Sequence, residues 1–197
     1  MSSSKKAINQ YPKWQRGLSL IEAAMVLALS AVVVAGVMAY YQSASTNEKT
    51  ERTISETMSI LSAVNSTYSS APNFAGINSE IIAKTGALPS SYISRNSSGK
   101  ISGITTPNGA RIDIAPGKLS DSSSNEYFTI SFGVPKSMCP TMVRLDLGSS
   151  LAEMGIGTTN NPITTFPVSV ADSQAKCDAA PADKNTKDQI TLYYSFH

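Results

Sequence analysis

The chain has 197 residues, with 16 Lys and Arg against 14 Asp and Glu, one histidine and two cysteines. The excess positive charge sits at one end. Lys5, Lys6, Lys13 and Arg16 occupy the first 17 residues without an acid, and the remainder carries 12 basic and 14 acidic side chains. That distribution argues against a nucleic-acid patch, a lone histidine at the last position supplies no interior base for a Ser-His-Asp arrangement, and the length suits one globular domain rather than two.

Residues 1–12 are polar, contain Pro12 and read as a disposable leader. Trp14 stands where an interfacial aromatic would anchor that leader. Next comes Arg16-Gly17-Leu18-Ser19-Leu20-Ile21-Glu22, which opens a long apolar run. From Leu18 to Tyr41, Glu22 is the only charged residue. About 20 apolar residues suffice for a membrane span. The four leading cations mark its cytoplasmic flank, so the chain beyond lies outside the inner membrane. An ionised carboxylate in mid-span costs roughly 2.5–3.5 kcal/mol, less near the end of the helix. Cutting after Gly17 creates a cationic partner for it, the new amine of Leu18.

No proline interrupts the sequence from Leu18 until Pro72. Ile54, Met58, Leu61, Val64 and Tyr68 recur at helical spacing, and Glu48 stands four residues before Arg52. These features predict one helix over about 18–70, on the order of 80 Å long. Its first half is apolar all round. Its second half has one apolar face, which a globular layer must cover. Val32-Val33-Val34, Gly36 and Val37 are weak helix formers. Gly36 therefore permits either local unwinding in a protein assembly or close helix packing.

Asn78 or Ser79 caps a predicted short helix at Glu80–Thr85, stopped by Gly86. Residues 94–109, rich in Ser, Gly, Asn and Thr, read as loop. Alternating patterns predict strands at 111–114, 127–134 and 190–196. A short helix is expected within 137–147, carrying Cys139, and 155–189 reads as loop-rich. For an exported domain, a disulfide between Cys139 and Cys177 is the natural reading; two buried thiols are the alternative. Such a closed loop stabilises by about 4 kcal/mol in the chain-entropy picture. The pieces fit an α+β fold, an antiparallel sheet packed on the second half of the long helix.

The basic leader ending in Arg16-Gly17, the Leu18 that follows, Glu22 five residues after the glycine, and the run Gly17-Leu18-Ser19-Leu20-Ile21-Glu22-Ala23-Ala24-Met25-Val26-Leu27-Ala28-Leu29 through Tyr40-Tyr41-Gln42-Ser43-Ala44-Ser45 resemble a type IV prepilin of the IVb branch. That branch includes bundlin, the toxin-coregulated pilins and the thin-pilus pilins of conjugative plasmids. Leu rather than Phe at the processed position departs from type IVa pilins. The resemblance is dense over about 13–45 and pattern-level beyond.

It implies a leader at 1–17, a transmembrane and filament-core helix at 18–45, and a periplasmic or surface head at 46–197. The fold would be a pilin roll with the C-terminal strand inside the sheet. A prepilin peptidase would cut after Gly17 and methylate Leu18. Glu22 would pair with the Leu18 amine of a neighbouring subunit in a helical homopolymer. The further partners implied are an inner-membrane platform with an ATPase and an outer-membrane secretin, with no cofactor and no nucleic acid. The precursor would sit in the inner membrane and the product in an extracellular pilus. That pilus would serve adhesion, aggregation or mating contact as a major structural subunit. The leader looks most like the plasmid thin-pilus group.

Two other readings remain. A minor pilin or secretion pseudopilin would share the helix, though tip pilins often lack an acid at the Glu22 position. A secreted domain would be cut near Val37-Met38-Ala39, but the apolar run is too long for a signal peptide and contains Glu22. An enzyme reading finds no Walker loop, dinucleotide fingerprint or metal-spaced cluster, and the cysteines do not form Cys-x-x-Cys. Asp113, Asp146 and Glu153 read as isolated, solvated acids.

Overall fold

The computed structural model describes residues 19–183 and 188–197. The chain divides into two compact units, Met1–Ala44 and Ser45–His197. Helix α1 (Leu20–Tyr68), 49 residues, contributes to both. Its Ser and Thr hydroxyls bond back into the helix. Thr50, Thr53 and Thr57 each donate to the carbonyl four residues earlier at 2.8 Å. Arg52 pairs with Glu48 at 2.7 Å.

In the second unit, α1 buries Thr50, Thr53, Glu56, Thr57, Ile60, Ala63 and Val64. This corrects the face expected from hydropathy. Val64 alone belongs to both sets. Ile54, Leu61 and Tyr68 flank the contact, partly buried, and Met58 is 38% exposed. The reason is steric. Small side chains such as threonine and alanine fit within the covered face, and hydroxyls bonded within the helix add no unsatisfied donor.

The sheet comprises β1 (Ile93–Arg95), β2 (Ile101–Thr105), β3 (Arg111–Pro116), β4 (Phe128–Pro135), β5 (Leu151–Ile156) and β6 (Gln189–Phe196). Among the described residues the order is β1-β2-β3-β4-β6-β5, with every pairing antiparallel. The last strand thus lies inside the sheet, in register from Phe128↔Phe196 to Pro135↔Gln189. The three expected strands correspond to β3, β4 and β6. The expected loop at 94–109 is instead mostly two hairpins. Gly99 (φ 76°) and Gly109 (φ 78°) take the left-handed turn positions that glycine allows.

Helix α2 (Ser79–Lys84) is capped by Asn78, whose side chain accepts from the Ile81 N–H at 2.9 Å. Helix α3 (Cys139–Val143) is shorter than expected. Helix α4 (Val170–Ala179) lies within the segment expected to be loop-rich and is capped by Ser169. Alternation turns Phe128, Ile130, Phe132 and Val134 inward beside Ile190, Leu192, Tyr194 and Phe196. The Phe128 and Phe196 rings stack at 5.4 Å and Phe132 and Tyr194 at 5.8 Å. Each such buried side chain contributes about 1.5–3 kcal/mol.

Candidate functional site

Gly17 and Leu18 lie outside the described residues. The helix starts directly after them. The Ser19 carbonyl accepts from the N–H groups of Glu22 at 2.9 Å and Ala23 at 3.0 Å. Glu22 is therefore in the first turn, exposed, where the helix dipole favours a negative charge. From there to Tyr40 the apolar side chains point outward on every side. Leu20 is 90% exposed, Val32 72% and Tyr40 77%. The helix is long and apolar enough to cross a membrane, and none of its apolar window is buried in the chain itself. A surface of this kind needs lipid or other apolar helices to cover it. The helix passes unbroken through Gly36, and a Cβ added there would meet nothing within 4 Å. Among the described residues, no contact calls for glycine at that position.

The head is cross-linked. Cys139 on α3 and Cys177 on α4 form a disulfide with Cα atoms 6.0 Å apart, both residues fully buried. Burial raises the Tyr194 phenol above its ordinary range, and its hydroxyl donates to the Met142 carbonyl at 3.2 Å. Asp113 pairs with Arg111 at 3.0 Å on the surface. Asp146, also exposed, accepts from the Gly148 N–H at 2.9 Å.

Glu153 departs from its expected solvated state and is 6% exposed. It accepts from the Ser120 N–H at 2.9 Å and from the Ser120 hydroxyl, and Lys118 Nζ stands 3.9 Å away. These bonds pin the 117–126 loop to the sheet. Gly117 (φ 101°) makes the entry to that loop; a Cβ there would sit 2.6 Å from the Ser122 carbonyl oxygen. Glu56 also escaped the sequence reading. It is fully buried on α1 and neither carboxylate oxygen has a partner. Burial pushes its pKa from 4.5 up to about 8. Its place between Thr53, Thr57 and Ile60 at helical spacing was the available signal. Among the described residues, no group of three His, Cys, Asp or Glu side chains is placed to hold a metal ion.

A long, half-exposed apolar helix whose second half lies on an antiparallel sheet defines the pilin class of architecture. A type IV b pilin from Salmonella typhi shares this fold with a TM-score of 0.54 at 18% identity, over 72% of this chain and 95% of that one. Two proteins named major structural subunit of bundle-forming pilus are each 40% identical to this chain over 189 residues. They come from Escherichia coli O111:H- and Escherichia coli O127:H6 (strain E2348/69 / EPEC), and the match spans 92% of this chain and 94% of theirs. Residues 42–197 match the Bundlin family, and the chain belongs to that family.

Proposed function

We propose that this chain is the major structural subunit of a type IVb pilus, with a structural rather than catalytic role. Prepilin peptidase cuts after Gly17 and methylates the Leu18 amine. The chain then polymerises through the first half of α1, with Glu22 of one subunit engaging the Leu18 amine of the next. The observation that carries this reading is the first half of α1 itself. It is apolar on every side and exposed, with Glu22 as its one charge in the first turn.

The energetics support the pairing. Before cleavage the carboxylate has no designated cation. After cleavage, docking the helix into a bundle desolvates both charges, and pairing offsets that cost. Methylation leaves the amine cationic. Repetition of one head-to-tail contact that does not close produces a helical fibre. The sequence carries no Walker loop. The work of extrusion is accordingly assigned to the ATPase of an inner-membrane platform, with exit through an outer-membrane secretin. The precursor lies in the inner membrane with its leader in the cytoplasm and its head in the periplasm. The finished fibre is extracellular and serves adhesion, aggregation or mating contact.

The test is Glu22→Ala in cells. The variant is expected to insert and be processed normally, with filament yield reduced at least tenfold. Normal yield from Glu22→Ala or Glu22→Val contradicts the pairing.

A further inference from the structure

The second half of α1 docks on the sheet through a face that carries an acid. Thr50, Thr53 and Thr57 on that face satisfy their hydroxyls within the helix. Glu56 has no such outlet. It is 0% exposed and both carboxylate oxygens lack a hydrogen-bond partner.

The neighbouring charges are engaged or at the surface. On α1, Lys49 and Glu51 are exposed and Arg52 is bonded to Glu48. On the other elements of the core, Glu80 and Lys84 of α2 pair with each other, as do Arg111 and Asp113 of β3. Arg144 beside α3 and Asp172, Lys176 and Asp178 on α4 are exposed. Glu153 of β5 is held by Ser120. Tyr194 of β6 is fully buried, and its hydroxyl donates a hydrogen bond to the Met142 carbonyl. An ionised carboxylate in this setting is far costlier than a neutral acid.

We propose that Glu56 is a proton-dependent latch: the folded head takes up one proton at this carboxyl, and the grip of α1 on the sheet weakens when that proton is lost. The sign follows from the two states. The unfolded chain releases the proton near 4.5 and the folded head near about 8. Below the lower value both states are protonated and the grip is full. Between the two values only the folded head keeps the proton, so the unfolding constant rises about tenfold per pH unit. Above the upper value both states are ionised, the contribution of this group is gone and its pH dependence ends.

The test is urea unfolding of the full-length processed protein in detergent micelles, at whole pH units from about 5 to about 9 and fixed ionic strength. The wild type is expected to lose stability with about one tenfold step per unit more than Glu56→Gln, up to about pH 8. Equal slopes overturn the proposal. A second measurement stands even where Glu56→Gln fails to fold. With carbon-labelled glutamate, the wild-type infrared spectrum at neutral pH should contain one carboxylic-acid carbonyl band that converts to carboxylate in mildly alkaline buffer. Only carboxylate bands at neutral pH overturn the proposal.

Discussion

Ser79, in the first turn of α2, completes the backbone of Ile114: its hydroxyl accepts the Ile114 N–H at 2.9 Å and donates to the Ile112 carbonyl at 2.8 Å. Strand β2 pairs with β3 only at Ile104↔Ile112 and Thr105↔Arg111. Beyond that point, among the described residues, β3 has no strand on its β2 side, and one buried hydroxyl takes the place of the missing ladder. Ser79→Ala removes both bonds and leaves a buried donor and acceptor. The expected loss is about 2–4 kcal/mol, measured by urea unfolding. A loss below about 0.5 kcal/mol would mean that these groups find other partners.

A second relationship links Glu153 and Ser120. Glu153→Ala frees the Ser120 N–H and removes the carboxylate near Lys118, which keeps its contact with the Tyr127 ring. The expected effect is a local loosening with a cost of about 1–3 kcal/mol. Amide hydrogen exchange should accelerate within 117–126 while β4 and β6 keep their protection. Acceleration spread evenly over the head would contradict a local role.

The rotated face of α1 gives a paired test. Ile60 is fully buried and Met58 is 38% exposed. Ile60→Ala should cost about 2–5 kcal/mol and Met58→Ala under about 1 kcal/mol. The opposite ranking would restore the face suggested by hydropathy.

These residues also show what could be read in the sequence. The long helix was legible because its run is long, free of proline and apolar enough to dominate every competing signal. Strands β3, β4 and β6 were legible because alternation at Ile112/Ile114, Phe128/Ile130/Phe132 and Ile190/Leu192/Tyr194 is strict. β1 and β2 were not, since Ser94, Ser102 and Gly103 resemble loop composition and only hairpin pairing makes them strands. Helix α4 was missed although Ser169 and Asp172 form a readable cap. The helix face was misplaced because hydropathy ranks Met58 above Thr57, whereas a threonine whose hydroxyl bonds back into the helix is buried without an unsatisfied donor. Glu153 could not be told from a solvated acid, because its burial and its bond to Ser120 depend on contacts far away in sequence. At the proposed assembly site, Glu22 was legible as a lone charge in an apolar run. Gly17 and Leu18 rest on their motif.

The disulfide closes a 38-residue separation and ties α3 to α4. Replacing both Cys139 and Cys177 with alanine should lower stability by about 2–5 kcal/mol in oxidising buffer. Reductant should then have no further effect on the variant, while it destabilises the wild type. Equal sensitivity of both to reductant would contradict this.

The central claim is that proteolysis between Gly17 and Leu18 produces the terminus through which subunits polymerise. It is tested most directly by mass spectrometric sequencing of the N-terminus of protein sheared as filaments from the cell surface. The account predicts a chain that begins at N-methylated Leu18. Filaments whose subunits still begin at Met1, or begin at Tyr40, would contradict it.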